Sequence, residues 1–341
     1  MRKKYIEYLR VFSMFAVIAI HVCITAMNTF GNGSIFAKTL YLSIRNIFHF
    51  AVPVFFMISG ALLLSPNKEM PIIKLIKSYV AKYAGVIIVF GSAFALMEHV
   101  FTTKTINITT IFSAFSNMLN GRSWDHMWYM YALLGVTLFI PVMRVIVQNF
   151  NRPERCYILT ILAIFLSFLP FMKECFSFSI AVSFPISSVY CMYMLMGYWI
   201  DAEEFHMKQG VSKMIVVILS FVIISLSAIQ ARTGISTEMF TAYSSPIIAL
   251  FSGAIFQIAK NCDSILVSKE TPKIIRELGR VSFGVYIIHM FWINIIYKLL
   301  NINPFSSNCI IGFLGVFLVV SVLSVCSAWI LKKIPLIKWL V

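Results

Sequence analysis

The apolar residues of this chain fall in blocks of roughly twenty, and this limits its possible folds more than any other feature. An α-helix rises 1.5 Å per residue, so a block of that length can cross a hydrocarbon core of about 30 Å. Ten blocks occur, at 6–29, 40–65, 78–100, 126–147, 156–172, 183–201, 211–231, 243–260, 281–300 and 309–332. They lack the polar–apolar alternation of membrane β-strands. We therefore predict an all-α integral membrane protein, a bundle of about ten transmembrane helices.

The composition agrees with this class. Apolar residues make up 60% of the 341 residues and charged residues only 12%, against about a quarter in soluble domains. The loops between blocks are short and no internal repeat is evident, so we predict a single transmembrane domain over 1–341. The first block follows a basic N-terminus, as in a signal peptide. It is too long for one and it contains Arg10 and His21, so we expect a retained first helix.

The basic residues are distributed unevenly between the two sides of the predicted bundle. Of the 28 Lys and Arg residues, 21 fall on the side of the N-terminus. The other seven are Lys38, Arg45, Lys104, Arg122, Lys173, Arg232 and Lys298. Cytosolic loops carry such an excess, so we predict that both termini are cytosolic. The net charge of +15 then reflects topology, and we expect no nucleic-acid partner.

The stretch 260–280 contributes five of these cytosolic charges. Two interpretations remain open for it. The first is the ordinary positive bias of cytosolic loops. The second is an electrostatic landing area for an anionic, phosphate-bearing substrate.

Ionisable side chains are costly at membrane depth, so each one inside a block is a candidate functional residue. Arg10 and His21 are eleven residues apart in the first block. That is about three helical turns, which places them on one face and ~16 Å apart along the axis. We expect Arg10 near the cytosolic boundary and His21 near the midplane. The alternative is an Arg10 that snorkels to the interface and a His21 that only packs.

The second block contains two further ionisable residues. Arg45 and His49 are four residues apart, so they share a helix face near the external boundary. The same block continues with FFMISG at 55–60, where Ser59 and Gly60 form a small surface for close helix approach. We count Arg45, His49 and Ser59 as candidates for lining a site.

The fourth and ninth blocks carry polar and aromatic residues. The fourth opens with HMWYM at 126–130, which contributes His126, Trp128 and Tyr129. Aromatic residues there could equally be ordinary interface anchors. The ninth has SFGVYIIH at 282–289, with a polar stripe formed by Ser282, Tyr286 and His289. A polar stripe in an apolar helix is typical of a wall that lines a site or cavity.

Together these motifs resemble those of the membrane acyltransferase type 3 family. They are Arg10-x10-His21, FFMISG, HMWYM and SFGVYIIH, in the expected order and spread over most of the chain. Arg-x10-His is the most specific of them. The resemblance implies a ten-helix enzyme that transfers an acyl group, usually acetyl, from a cytosolic thioester to a hydroxyl on a surface sugar. It implies that Arg10 and His21 are catalytic and, more loosely, that Trp128, Tyr129, Tyr286 and His289 line the donor and acceptor sites, which Arg45, His49, Ser59, His126 and Ser282 would line with them on the ground of their own polarity and position.

The resemblance also sets expectations for partners and location. The co-substrate would be acetyl-CoA or a related acyl-CoA, with no bound cofactor and no metal. The acceptor would be a cell-envelope glycan or a lipid-linked sugar, since the compact chain looks most like members that O-acetylate bacterial envelope glycans. The location would be a bacterial plasma membrane, with membrane lipid around the helices.

The residue types fit this chemistry. Histidine has an unperturbed pKa near 6.5, so His21 could take the proton of an attacking hydroxyl. It could instead be acylated itself as a covalent intermediate. Arg10 could grip a coenzyme A phosphate bidentately. The competing function is a secondary transporter or flippase, which would use buried Arg and His for substrate or protons. A transporter would not consume acetyl-CoA.

Overall fold

The computed structural model describes residues 3–31, 33–103, 107–178, 180–182, 184–263, 271–306 and 308–341. This described part contains no strand and twelve helices longer than ten residues. These are α1 (Lys4–Phe30), α2 (Ile35–Phe48), α3 (Ala51–Leu63), α4 (Ile72–Phe101), α5 (Ile108–Leu119), α6 (Trp128–Asn149), α7 (Arg152–Phe176), α8 (Val189–Asp201), α9 (Gln209–Thr233), α10 (Pro246–Asn261), α11 (Lys273–Leu299) and α12 (Cys309–Leu331). Arg2, Lys104 and Lys269 of the predicted topology, and 264–270 of the basic stretch, lie outside the described residues.

Nine spans within the described residues are long and apolar enough to cross a membrane, with α2 and α3 together forming one of them. The all-α membrane bundle is confirmed. The predicted helix at 183–201 is wrong over 184–188, because α8 begins only at Val189 and has 13 residues, and Ser183 lies outside the described residues. Pro185 keeps Phe184 out of the helix, since a proline disfavours helical geometry in the residue before it.

Two other proline positions correct the predicted boundaries. The block 40–65 begins earlier, at Ile35, and is broken between α2 and α3 at His49. Pro53 lies four residues after His49, so its ring crowds the His49 carbonyl and that carbonyl loses its helical donor. α10 starts at Pro246 instead of residue 243, with proline at its first position.

The 12-residue helix α5 was not predicted at all.

α1 lies at the centre of the bundle. It packs against α2, α3, α10, α11 and α12. Tyr5, Val22 and Ala26 are fully buried, so burial continues along almost the whole helix. The helix that carries Arg10 and His21 is therefore surrounded by protein on most sides.

Both ends of the chain lie at one end of the bundle, which we call the terminal face. Lys3 forms an ion pair with Asp201 at the end of α8, and Tyr5 Oη donates to Asp201 Oδ1 at 2.6 Å. Lys332, just after α12, donates to the carbonyl of Arg280 on α11. At the opposite face, Lys298 of α11 lies 3.2 Å from a Glu98 oxygen on α4.

α3 and α8 cross at unusually close range. A Cβ added to Gly60 would lie 1.9 Å from the carbonyl oxygen of Met194, and one added to Gly197 would lie 2.2 Å from that of Met57. Each glycine therefore faces the backbone of the other helix. The close approach expected at Gly60 is found, and α8 is the helix that makes it.

Candidate active site

Two cavities lie one after the other along α1. One, of about 540 Å³, is lined by His21, Arg45, His49 and His126, and we call it the histidine cavity. The other, of about 630 Å³, is lined by Arg10, and we call it the basic cavity. Tyr129 of α6 and Tyr286 of α11 line both cavities and form a shared wall. The two ends of the Arg10-x10-His21 motif thus open into different spaces.

The basic cavity, on the terminal face, takes its name from four cations. These are Arg10, Lys68, Lys82 and Arg280. The side chains lining it include no Asp or Glu among the described residues. Glu7, one turn before Arg10 on α1, offsets part of this charge, with its carboxylate 3.6 Å from the guanidinium. The space is therefore suited to a ligand with several negative charges.

Ser59 and Ser282, two predicted site residues, also line the basic cavity. The Ser59 hydroxyl donates to the Phe55 carbonyl at 2.9 Å, and the Ser282 hydroxyl donates to the Gly279 carbonyl at 2.9 Å. Each hydroxyl is bound to its own helix. Both residues therefore form part of the cavity wall, and their hydroxyl hydrogens are already donated to backbone carbonyls.

The histidine cavity combines aromatic rings with charged and polar groups. The rings in its wall are those of Trp124, Trp128, Tyr129, Tyr243 and Tyr286, and the polar groups include Thr25, Asn28, Glu98, Asp125, Asn294 and Lys298. Ring centroids of Trp128 and Tyr243 are 5.4 Å apart, and those of His49 and Tyr243 are 5.1 Å apart. The aromatic rings can stack on the apolar faces of a polar ligand, and the neighbouring amide and carboxylate groups can bind its hydroxyls.

Three histidines meet at the wall of this cavity: His21 and His126 line it, whereas the predicted site residue His289 is fully buried behind them and lines neither cavity. The His21 ring centroid is 5.0 Å from that of His289 and 6.3 Å from that of His126. The His126 and His289 centroids are 5.2 Å apart. The rings come from α1, the turn Asp125–Met127 and α11, so the bundle joins side chains that are far apart in the sequence.

Backbone carbonyls hold the histidines around His21. His126 Nε2 lies 3.1 Å from the Ile287 carbonyl oxygen, and the Tyr286 hydroxyl donates to the His126 carbonyl. His289 Nδ1 lies 2.6 Å from the Tyr286 carbonyl oxygen. His126 and His289 are almost fully buried. The cluster is therefore rigidly tied to α11.

Arg45 and His49 enter the same cavity from the break between α2 and α3. His49 Nδ1 lies 2.7 Å from the carbonyl oxygen of Thr241, in the one-turn helix Glu238–Thr241. Arg45 lies 3.1 Å from a carboxylate oxygen of Glu238 in that same turn. The break caused by Pro53 thus places both side chains beside the His21 region.

A family model described as an acyltransferase domain matches residues 3–333. The chain belongs to the membrane acyltransferase type 3 family. Neither the curated proteins nor the solved structures compared with this acyltransferase gave a match. Family and fold together support a membrane acyltransferase, as the four motifs predicted.

Sequence analysis missed several residues that line the cavities of the acyltransferase. Glu98 was not among the predicted site residues, yet it lines the histidine cavity and accepts from Trp124 Nε1 at 2.8 Å. Lys298 joins it there, and a lysine in an apolar helix was a usable signal. Lys68 and Lys82 were counted only as topology charges, although they line the basic cavity.

The arrangement offers two chemical capabilities. Clustered cations in one cavity can hold a polyanion, and imidazoles in the other can exchange protons with a hydroxyl group. In the part of the chain that the structure covers, no three His, Cys, Asp or Glu side chains are arranged to hold a metal ion.

Proposed function

We propose that this acyltransferase moves an acyl group, specifically acetyl, from cytosolic acyl-CoA to a hydroxyl of a cell-envelope carbohydrate. The carbohydrate is a glycan or a lipid-linked sugar, and the membrane is a bacterial plasma membrane. One observation carries the proposal: Arg10 and His21 lie on the same helix but open into two cavities of different chemistry, which share the wall of Tyr129 and Tyr286.

The basic cavity supports the choice of donor. Coenzyme A carries a diphosphate and a further phosphate, and the four cations of this cavity match those charges. Arg10 offers the planar donor fork that binds phosphate oxygens in pairs. The thioester would lie at the other end of the narrow pantetheine arm, directed past the tyrosine wall toward His21.

The charge distribution supports the direction of transfer. The 21 basic residues on the side of the N-terminus favour a cytosolic terminal face. The basic cavity would then face the compartment that contains acyl-CoA. The histidine cavity would face the cell envelope, where an acceptor glycan is found.

The histidine cavity supports the choice of acceptor. Sugars present apolar ring faces and many hydroxyls, and this cavity offers aromatic rings together with Glu98, Asp125 and Asn294. Its volume of about 540 Å³ is within the range of pockets that hold small organic ligands.

In the first of two paths, His21 acts as the general base. The acceptor oxygen forms a bond to the thioester carbonyl carbon, and the carbon–sulfur bond breaks. His21 takes the hydroxyl proton and passes it to the departing thiolate, which leaves as free coenzyme A thiol. In the covalent alternative, a His21 nitrogen forms the bond to the carbonyl carbon as the carbon–sulfur bond breaks, and the thiolate leaves with the proton of the other ring nitrogen. The acceptor oxygen then takes the acyl group, the carbon–nitrogen bond breaks, and the hydroxyl proton returns to the imidazole.

The test is turnover of labelled acetyl-CoA by the purified protein in detergent, with cell-envelope fractions supplied as acceptor. We expect free thiol release and transfer of label by the wild type, and a loss of about 10²–10⁴-fold in His21→Ala. His206→Ala is the matched control, because His206 is exposed and lies in neither cavity.

Label that stays on the protein before acceptor is added, and that His21→Ala abolishes, would select the covalent path. Equal turnover by wild type and His21→Ala would remove His21 from the mechanism. Protein that neither binds nor consumes acetyl-CoA, yet moves a lipid-linked sugar across vesicles, would favour the transporter or flippase.

A further inference from the structure

Two buried nitrogens in the histidine cluster lack a hydrogen-bond partner. His289 Nδ1 lies 2.6 Å from the Tyr286 carbonyl oxygen, which can only accept, so Nδ1 must carry the hydrogen. In a neutral imidazole the other nitrogen, Nε2, then presents a lone pair. His289 is fully buried, and this Nε2 has no partner in the structure.

His126 repeats the arrangement from the other side. Its Nε2 lies 3.1 Å from the Ile287 carbonyl oxygen, so this nitrogen is the donor and Nδ1 holds the lone pair. Nδ1 is also buried without a partner. Two acceptor atoms are therefore fixed next to His21, and buried acceptors are normally paired. A group that satisfies them must supply hydrogens.

His21 is the residue placed to supply one. Its ring centroid is closer to His289, at 5.0 Å, than to His126, at 6.3 Å. A centroid separation of 5.0 Å allows facing ring edges to come within hydrogen-bonding distance. His289 is also the more rigid of the two neighbours, because its anchoring carbonyl belongs to its own helix, three residues earlier.

We propose that His289 is a positioning residue for His21, which rests on the proposed acyl transfer at His21. His289 Nε2 accepts the N–H of one His21 nitrogen and so fixes the tautomer. The other His21 nitrogen then presents its lone pair to the acceptor hydroxyl in the cavity. The Tyr286 carbonyl, His289 and His21 form a chain in which each member orients the next.

This hydrogen-bonded series of groups also acts during the reaction. When the hydroxyl proton moves to His21, the ring becomes an imidazolium with two N–H groups. One points at the departing sulfur and the other at His289 Nε2, which stabilises the charge without taking the proton. The proton then goes to the thiolate, and both histidines return to their starting tautomers.

The test compares His289→Gln with His289→Leu in the full-length protein. Leucine fills similar space and has no lone pair, whereas the glutamine amide oxygen can accept from His21 but cannot carry a proton. We expect His289→Leu to lower kcat about a hundredfold, since a general base loses its orientation. The KM for acetyl-CoA stays unchanged because His289 does not line the basic cavity. His289→Gln restores most of the kcat.

Wild-type kcat in His289→Leu, or a His289→Gln as slow as His289→Leu, would overturn the positioning role. If His289→Leu or His289→Gln fails to fold, His289→Ala is assayed with added free imidazole instead. Imidazole that fills the vacated space should raise kcat, whereas no increase counts against the proposal. If His21→Ala is inactive and His289→Leu is not, only the positioning role fails. If neither wild type nor His21→Ala consumes acetyl-CoA, the proposed function fails with it.

Discussion

Replacing Gly60 by alanine should separate two helices that support the wall between the cavities. The added Cβ would lie 1.9 Å from the Met194 carbonyl oxygen, whereas ordinary contact begins near 3.4 Å, so α3 and α8 must separate by about 1.5 Å. The obstacle is backbone, which cannot rotate away. Overpacking of this kind costs about 1–3 kcal/mol, and we expect the upper end. At roughly 2 °C per kcal/mol, the apparent Tm should fall by about 6 °C.

The separation should also reach the site. Phe56 of α3 stacks on Tyr190 of α8, with centroids 4.5 Å apart, and lies 5.1 Å from the wall residue Tyr129. Acetyl-CoA turnover should therefore fall together with the Tm. The assay is thermal unfolding of purified protein in detergent, monitored by size-exclusion chromatography. Turnover is measured separately, at a temperature where every variant is folded.

Gly135→Ala is the matched control. Gly135 lies in the exposed surface of α6, and an added Cβ would meet nothing within 4 Å. The same substitution there should stabilise the helix by about 0.5–1 kcal/mol. The reasoning is refuted if Gly60→Ala melts at or above the temperature of Gly135→Ala.

Two further variants probe the donor site and the terminal face. Arg10→Ala should raise the KM for acetyl-CoA about 10- to 100-fold with kcat nearly unchanged, because a charged hydrogen bond to phosphate is worth about 1.5–3 kcal/mol. Steady-state kinetics measure both constants, and an unaltered KM would contradict phosphate binding by Arg10. Asp201→Asn should lower the Tm, because the neutral amide binds Lys3 and Tyr5 more weakly and this costs about 1.5–3 kcal/mol. Glu203→Gln, at an exposed pair, should change it little, and equal effects of the two would argue against the buried network.

The fold was largely predictable because membrane crossing is a local property. A block of apolar residues long enough to span the core must form a helix wherever it lies. The errors come from features that block length ignores. Pro185 keeps Phe184 out of α8, and Pro53 breaks a single predicted span into α2 and α3. α5, with 12 residues, is too short to register as a crossing.

The candidate site was predictable only where its residues lie on a single helix. Arg10 and His21 share a face of α1, and helical geometry alone places them at two depths. The contact between His21 and His289 joins opposite parts of the sequence, and it depends on how α1 packs against α11. Which nitrogen of His289 holds the hydrogen depends on a carbonyl 2.6 Å away, and no residue pattern encodes that distance.

The cations of the basic cavity show a different limit of prediction from sequence. Lys68, Lys82 and Arg280 were predicted to lie on cytosolic flanks, where basic residues are expected, so their charge already had an explanation in the predicted topology. The structure gathers them around one space together with Arg10. A residue that satisfies a general rule can also line a particular cavity, and the sequence has no mark that separates the two roles.

The central position of α1 has a consequence for biosynthesis. Tyr297 Oη donates to the Val22 carbonyl, a bond between residues 275 positions apart. At about 5–20 residues per second, the ribosome needs roughly 15 to 55 s to deliver that partner after the first helix has been made. During this time the polar side chains of α1 are in the bilayer without α11 or α12. The helix that carries His21 thus acquires its full set of neighbours only after α11 and α12 have been made, so nascent chains stalled before α11 should be the forms most exposed to membrane proteases.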